Sequence, residues 1–406
     1  MGKLWSEIKY WCQAFLIPIH GISFLMPRNK RIWIFGSTFG QRFADNPKYF
    51  YLYIRQYQSS EIDAVWISKN KEIIKLLKDN KLKGYYLYSL KGIWYSLRAK
   101  VYLYDNYSKD ICFTLSGGAV KVNLWHGIPL KKIQKDNIFD YARNPRSRRE
   151  WFRWMLRRMS DEKSSDYVLT TSKHLIPIFS SAFQTKKVLV TGYPRNDAIW
   201  KDKIHVVSSD KEERTLTIVK QQKADKRLLL YLPTFRETEK KFFDIIDGER
   251  LKQFLLKENL FLFIKLHLKS KQKEEFAKCA SSNIYILDPQ EDPYPLLGDM
   301  DVLITDYSSI YFDFLLMDKP IVFFDYDLGE YMKSSREMYF PYADLTPGCK
   351  VENQEDLERA VLSADHYESE RELVKQRVFD FTPGYFGSED LFHKICRILE
   401  KKEVDA

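Results

Sequence analysis

Short apolar runs alternate along the chain with longer segments of helical periodicity. The strand-like runs are residues 31–36, 63–68, 100–105, 122–127, 167–172, 188–192, 227–234, 260–267, 283–288, 301–306 and 320–325. Helical patterns lie between them, for example over residues 48–57 and 71–78. Strands that alternate with helices predict an α/β fold. The pattern restarts after a polar stretch at residues 201–226, which we interpret as a linker or an exposed connection.

This organisation predicts two Rossmann-like domains that face each other across a cleft, with ligands at the carboxyl ends of the strands. We expect the first domain over residues 31–205, with a basic helical insert near residues 143–160. The second domain is expected over residues 226–385. Residues 386–406 carry the last helical pattern. We expect a C-terminal helix there that is able to cross back onto the first domain.

Residues 1–30 form an N-terminal segment whose apolar run, Trp11 to Met26, is too short to span a membrane. No small-residue cleavage site precedes Arg28, which argues against a signal peptide. Basic residues flank the run, so we predict that it lies on a membrane surface. An ordinary buried helix has the same amphipathic pattern, and that interpretation stays open.

Composition narrows the class of protein further. The chain has 406 residues, of which 45% are hydrophobic and 15% aromatic, and this excludes a disordered chain. The formal net charge of +10 favours an anionic partner, such as phospholipid, nucleic acid or a phosphate-rich substrate. Five scattered cysteines without a CxxC pair predict neither a zinc site nor a disulfide framework. Walker and dinucleotide motifs are absent from the sequence, and we predict no metal and no cofactor.

The most informative stretch is DVLITDYSSIYFDF, residues 301–314. It predicts a short buried strand, a polar turn and then a helix that begins at Ser308 and Ser309. Backbone N–H groups at such a helix start form a natural site for phosphate. Asp313 lies one turn further on, where it can face the same side as Ser309. An N-capped helix without a ligand explains the same pattern.

Two segments of the first half end in polar residues suited to phosphate chemistry. In LWHGIPLKK, residues 124–132, His126 follows a buried strand and suits a general base, and Gly127 permits close backbone approach. In VTGYPRND, residues 190–197, Arg195 suits an anion clamp, while Asn196 or Asp197 suits a helix cap. A structural histidine and a capped turn are the alternative interpretations.

Two further segments follow strands of the second half. In YLPTFRE, residues 231–237, Thr234 and Arg236 are placed to hold phosphate oxygens. In IKLHL, residues 264–268, Lys265 and His267 have the same strand parity, which predicts that one face carries both. A surface arginine and a chance alternation on an edge strand remain as alternatives.

In this order, the segments WHGIPLKK, GYPRND, LPTFRE, KLH and DVLITDYSSIYFDF resemble the CDP-glycerol glycerophosphotransferase family, the teichoic acid primases and polymerases and their capsule relatives. The resemblance runs from about Arg31 to the end of the chain. It implies a GT-B-like fold with an acceptor domain first and a nucleotide domain second. Gln134 and Leu268 depart from the family pattern, where a glycine and a proline are usual.

The resemblance also implies a reaction: transfer of glycerol phosphate from CDP-glycerol to a hydroxyl of a lipid-linked, undecaprenyl-type glycan acceptor. Such a protein is expected at the cytoplasmic face of the bacterial cell membrane, bound peripherally. By the same resemblance, His126 and His267 match the catalytic histidines, and Ser308, Ser309 and Asp313 match donor-binding residues. We add Thr234, Arg236, Arg195 and Gly127 to the predicted donor site, with His126 as the general base.

The basic segment at residues 143–160 mixes arginines with large apolar residues, which is typical of contact with an anionic lipid surface. A nucleic-acid patch or a solvated helix has a similar composition, but a lipid-linked acceptor favours the membrane, and we expect no nucleic-acid partner. The predicted membrane-binding residues are Arg146, Arg149, Trp151, Arg153, Trp154, Arg157 and Arg158.

Three other functions remain open from the sequence. The motifs do not separate CDP-glycerol from CDP-ribitol, so a ribitol-phosphate transferase is the nearest alternative. A GT-B glycosyltransferase that uses a nucleotide sugar would share the fold. A membrane-bound scaffold without catalytic activity is the third.

Overall fold

The protein is described here from a computed structural model. It covers residues 15–160, 162–200, 204–235, 242–267, 269–270, 272–334, 337–363, 365–382 and 385–404. The chain divides into two compact units. The first contains residues up to His126, residues 133–207 and residues from Asp380 onward, and the second contains residues 127–132 and 208–379. Each unit is built around one parallel sheet.

The first unit holds a seven-stranded parallel sheet in the order β3-β2-β1-β4-β5-β6-β7. Its strands are β1 (Asn29–Phe35), β2 (Asp63–Ser68), β3 (Gly84–Tyr86), β4 (Ala99–Tyr104), β5 (Val120–Asn123), β6 (Tyr167–Thr170) and β7 (Val188–Val190). The central strands are apolar on both faces; Trp33, Ile34 and Phe35, for instance, are all fully buried. Continuous burial of this kind is expected where helices cover both faces of a parallel sheet.

Helices of the first unit cover that sheet. They are α1 (residues 15–23), α2 (Asp45–Tyr57), α3 (Lys71–Asp79), α4 (Leu90–Arg98), α5 (Arg148–Met159), α6 (Ile176–Phe183) and α17 (Gly387–Val404). Helix α2 is buried along most of its length, with Tyr49, Phe50 and Tyr51 at zero exposure. Helix α17 packs on the same layer, since the rings of Phe392 and Trp33 lie 5.7 Å apart. No helix in the described part of the chain is both long and apolar enough to cross a membrane.

The second unit holds a six-stranded parallel sheet in the order β10-β9-β8-β11-β12-β13. Its strands are β8 (Arg227–Leu232), β9 (Leu260–Ile264), β10 (Ile284–Ile286), β11 (Val302–Thr305), β12 (Ile321–Phe324) and β13 (Cys349–Val351). Its helices are α7 (Asp210–Lys223), α8 (Phe242–Ile245), α9 (Gly248–Lys257), α10 (Lys273–Lys278), α11 (Tyr294–Leu297), α12 (Ile310–Phe314), α13 (Leu328–Ser334), α14 (Tyr342–Leu345), α15 (Gln354–Leu362) and α16 (Glu368–Val378).

The predicted α/β class with two parallel-sheet halves is confirmed, and every predicted strand overlaps an observed one. Two three-residue edge strands, β3 and β13, have no counterpart among the predicted strands. The interpretation of residues 201–226 as a linker was wrong in part, because helix α7 occupies Asp210–Lys223. That helix has a capping box at Ser209 and buries Thr215 and Val219, so a polar composition concealed an amphipathic helix.

Strand order places one reversal point in each sheet, between β1 and β4 in the first and between β8 and β11 in the second. Ligands of parallel α/β sheets bind beyond the carboxyl ends of the strands at such a point. We call these two places the first edge and the second edge. Four of the five segments predicted to carry chemistry follow β5, β8, β9 and β11, which lie at or next to these points, and the fifth follows β7.

Candidate active site

His126 lies at the first edge, three residues after β5 ends at Asn123. Its ring Nδ1 is 3.0 Å from the backbone carbonyl oxygen of Asp105, which follows β4. A carbonyl oxygen only accepts hydrogen bonds, so Nδ1 carries the proton and Nε2 of the neutral ring carries a lone pair. The side chain is half-buried. The arrangement therefore suits a Brønsted base at the place where parallel α/β sheets commonly bind ligands.

The backbone before His126 leaves the strand conformation sooner than predicted. Trp125 has a φ of +52°, the left-handed region, which a bulky residue seldom adopts. The predicted strand at 122–127 was therefore too long. Two side-chain amides hold the turn: Asn46 Nδ2 donates to the carbonyls of Leu124 and Trp125, at 3.1 and 2.9 Å. The Oδ1 of Asn123 accepts from the Trp125 N–H at 2.9 Å.

Arg195 is buried beside this turn, with only 2% of its surface exposed. Its Nη1 donates to the backbone oxygen of His126 at 2.7 Å and to Asp45 Oδ1 at 2.9 Å. Its backbone N–H donates to Asn46 Oδ1 at 3.2 Å. The structure thus brings Arg195 together with His126 in the first unit. The Arg195 guanidinium is hydrogen-bonded to other groups of the protein. This geometry favours a role in positioning the histidine over a role as an anion clamp.

Two carboxyl groups are buried at the first edge. Asp105 accepts from Ser37 Oγ at 2.5 Å and from the Thr38 N–H at 3.1 Å. Asp110 accepts from the Phe39 N–H at 2.7 Å and the Asn106 N–H at 2.8 Å. Burial raises the pKa of both groups, and for Asp110 the neighbouring Asp105 charge adds to the effect. These carboxyls fix the loop after β1 and the Asp105 backbone that orients His126.

The second edge brings together the turns after β8 and β11. The buried carboxylate of Asp306 accepts from the Thr234 N–H through both oxygens, at 2.9 and 3.0 Å. Ser308 and Ser309 follow and are half-buried. Ser309 is the residue before α12, as predicted, and among the described residues its side chain caps no helical N–H. Two hydroxyl groups therefore lie at this edge in places suited to a ligand.

His267 also lies at the second edge, but past the end of β9 at Ile264, so the predicted shared strand face with Lys265 was wrong. Its Nδ1 accepts from the backbone N–H of Lys269 at 3.1 Å. Nδ1 therefore carries a lone pair, and Nε2 carries the proton. The exposed ring packs 5.2 Å from Phe235, and both line a pocket with Thr234 and Tyr326.

Two of the predicted donor residues, Asp313 and Gly127, have other surroundings. Asp313 is 1% exposed, and its carboxylate accepts from the Tyr294 hydroxyl at 2.8 Å, which points to a supporting role. Gly127, with a φ of +153°, begins the short stretch that belongs to the second unit. Arg236 lies outside the described residues. Within the described ranges, no three His, Cys, Asp or Glu side chains are placed to hold a metal ion.

The predicted membrane-binding residues divide into two groups. Arg146, Arg149 and Trp151 are exposed. In contrast, Arg153, Trp154, Arg157 and Arg158 are half-buried, and Trp154 and Arg158 line a pocket of the first unit.

Sequence reasoning missed Asn46, Asp105 and Asp306, which hold the reactive side chains through backbone groups. Asp105 and Asp306 are each the last residue of a predicted strand, and that position was the available signal. Asn46 had no comparable signal, because its partners lie 78 and 79 residues further along the chain.

Comparison with known proteins identifies the family and the fold to which this geometry belongs. The profile of the CDP-Glycerol:Poly(glycerophosphate) glycerophosphotransferase family matches residues 19–393. The chain is 29% identical over 391 residues to a teichoic acid poly(glycerol phosphate) polymerase of Bacillus spizizenii, covering 91% of this chain and 93% of that protein. It is 27% identical to a teichoic acid glycerol-phosphate transferase of Staphylococcus aureus, covering 92% and 94% of the two chains. The solved wall teichoic acid polymerase TagF has a TM-score of 0.71 at 20% identity over 98% of each chain, which shows a shared fold.

Proposed function

This chain belongs to the CDP-glycerol:poly(glycerophosphate) glycerophosphotransferase family, and from that premise we propose that it transfers glycerol phosphate from CDP-glycerol to a hydroxyl of a membrane-linked acceptor in teichoic acid or capsule synthesis. The observation that carries the proposal is the imidazole of His126. Its Nδ1–H is bound to the Asp105 carbonyl, which leaves Nε2 with a lone pair. A base of this kind is what a hydroxyl nucleophile requires.

In the proposed reaction, the acceptor oxygen forms a bond to the β-phosphorus of CDP-glycerol. The bond from that phosphorus to the bridging oxygen breaks, and CMP leaves with the electron pair. Nε2 of His126 accepts the proton of the attacking hydroxyl. The hydrogen bond from Nδ1 to the Asp105 carbonyl orients the ring and stabilises the imidazolium that forms.

The donor diphosphate is assigned to the second edge. Ser308 and Ser309 supply hydroxyl groups, and Thr234 is held there by the Asp306 carboxylate. His267 presents an Nε2–H, because its Nδ1 is occupied as an acceptor. Negative charge gathers on the CMP phosphate as it leaves, and preoriented donors of this kind stabilise that charge in the transition state.

The deciding experiment offers CDP-glycerol and CDP-ribitol side by side to the purified protein with a synthetic lipid-linked acceptor. CMP release and product mass are measured together. Faster turnover of CDP-glycerol, with a product heavier by glycerol phosphate units, supports the proposal. Preference for CDP-ribitol would identify a ribitol-phosphate transferase. Turnover of a nucleotide sugar instead, or CMP release from neither donor, would overturn the proposal.

Peripheral contact with the membrane is the second part of the proposal, and α1 supports it. Phe15, Ile19 and Ile22 share one side of the helix and are 79%, 44% and 63% exposed. The end of the helix is anchored to the first unit, because Ser23 Oγ accepts from the Gly117 N–H at 2.8 Å. The exposed apolar side suits insertion into the lipid interface, and the net charge of +10 suits an anionic bilayer.

Sedimentation with anionic and neutral liposomes tests this contact. We expect wild-type protein to sediment with anionic vesicles and to do so far less with neutral ones. Replacing Ile19→Glu and Ile22→Glu together should weaken sedimentation at least tenfold, because two apolar side chains lose their burial in lipid. The matched control is Leu373→Glu, at a 67% exposed apolar position on α16 of the second unit. Equal sedimentation with both lipids, or none with either, would contradict the proposal.

A further inference from the structure

A pocket of about 50 Å³ opens in the first unit, and the mechanism above leaves it unused. That volume is several times the roughly 10–15 Å³ that one water needs. The lining residues are Tyr107, Asn123, Gln134, Lys135, Arg143, Trp154, Arg158, Glu162, Lys163, Ser164, Ser165, Val168, Ala182, Phe183 and Thr185.

The charge of this pocket is mainly positive, although Arg143 is also paired with Asp140, which does not line it. Four cationic side chains line it, against the single carboxylate of Glu162. Glu162 is already shared, since Lys109 lies 3.4 Å and Arg143 and Arg157 each lie 3.8 Å from its oxygens. The lining also includes serine and threonine hydroxyls, while the side-chain oxygens of Asn123 and Gln134 already accept from Trp125 and Tyr107. A site with this composition favours an anion that accepts many hydrogen bonds, as phosphate does.

Aromatic contacts hold two of the cations in place. Lys135 Nζ and the Arg158 guanidinium each lie 5.5 Å from the Trp154 ring. Lys135 Nζ also donates to the Arg143 carbonyl at 2.8 Å. Side chains fixed in this way lose less conformational freedom when a ligand binds, so the pocket is preorganised for an anion.

The wall of the pocket continues into the turn that carries His126. The ring of Phe183, a lining residue, is 4.8 Å from the Trp125 ring, which is 3.9 Å from the His126 ring. Asn123, another lining residue, accepts from the Trp125 N–H at 2.9 Å. A group bound in the pocket and a hydroxyl at His126 are therefore neighbours on one unit.

We propose that this pocket binds a phosphate group of the acceptor, so that the acceptor hydroxyl is presented to His126. The inference rests on the proposed function and names the acceptor as a phosphate-bearing molecule. The phosphate belongs either to a glycerol phosphate unit near the acceptor end or to the diphosphate of its lipid carrier. Both present the same tetrahedral oxyanion to the four cations.

The test compares wild type with the double variant Arg158→Gln and Lys163→Gln. The matched control is Arg148→Gln with Lys186→Gln, two exposed cations of the same unit that do not line the pocket. Calorimetry measures binding of a lipid-free glycerol phosphodiester oligomer in one arm and of a short-chain isoprenoid diphosphate in another. We expect the pocket variant to bind at least one of these ligands at least tenfold more weakly, because each lost charge removes a charge-assisted hydrogen bond. The control should bind as wild type does.

Measurement of CDP-glycerol binding separates this inference from the proposed function. The pocket variant should bind CDP-glycerol as wild type does, with a raised KM for acceptor alone. Unchanged affinity for both phosphate ligands would overturn the pocket assignment and leave the transferase proposal standing. If the pocket variant loses affinity for these phosphate ligands but the wild-type protein never turns over CDP-glycerol, the transferase proposal is overturned instead.

Discussion

The two edges each carry one histidine, and the two imidazoles are held in opposite ways. At the first edge, His126 donates from Nδ1 to a carbonyl, so Nε2 carries the lone pair. At the second edge, His267 accepts at Nδ1 from a backbone N–H, so Nε2 carries the proton. The partner of Nδ1 sets the tautomer in both cases. Backbone geometry, rather than residue type, therefore decides which histidine suits a base and which suits a donor.

The largest expected effect is at His126. His126→Gln places an amide near the position of Nε2, but an amide has no proton affinity at neutral pH, so turnover should fall by about 10²–10⁴-fold, as far as in His126→Ala. Affinity for CDP-glycerol should stay near that of wild type. His126→Asn serves as a control for folding, because its amide N–H is able to replace the Nδ1 donor to Asp105. Turnover and calorimetric donor affinity are the measurements.

His267 should respond differently to the same pair of substitutions. His267→Ala removes the Nε2–H donor and should lower turnover by about 10²–10³-fold. His267→Gln restores an N–H near that position and should recover most of the loss, to within about tenfold of wild type. Steady-state kinetics of the four alanine and glutamine variants test the comparison directly. It fails if glutamine rescues position 126, or if it is as damaging as alanine at position 267.

A smaller effect is expected at Arg195, which holds the backbone of His126 at the first edge. Arg195 Nη1 donates to the backbone oxygen of His126 at 2.7 Å and to Asp45 Oδ1 at 2.9 Å. A lysine there would keep the charge, but its shorter side chain would not bring the nitrogen within reach of both oxygens. Arg195→Lys should lower turnover about 10–100-fold, the value of a charged hydrogen bond. The KM for CDP-glycerol should not change. Arg359→Lys, at an exposed ion pair, is the control, and a rise in donor KM with unchanged turnover would favour an anion clamp at Arg195 instead.

The sequence predicted the strands of both sheets well, because a strand depends on a few neighbouring residues. DAVWIS at residues 63–68 is both the predicted and the observed β2. Long-range polar contacts were not predictable in this way. Asp197 was expected to cap a local helix, yet its carboxylate accepts from the N–H groups of Gly387 and Ser388, each at 2.9 Å, at the start of α17. The residue type alone predicts that a carboxylate will bind the N–H groups at a helix start. Which helix it binds depends on the fold, because that helix is distant in the sequence.

The smallest expected effect concerns one buried carboxyl of the second unit and appears in stability. Burial raises the pKa of Asp325, directly after β12, from 3.8 to about 6. The folded state therefore binds more protons than the unfolded state between about pH 4 and pH 6, and this group's contribution to stability falls as the pH rises through that window. Asp325→Asn should remove that dependence. The free energy of unfolding of the variant minus that of wild type should therefore be about 2 kcal/mol larger at pH 7 than at pH 4. Urea denaturation at both values measures it, with Asp344→Asn, an exposed carboxyl of α14, as control. An equal wild-type-to-variant difference at the two pH values would show that this carboxyl titrates in its usual range.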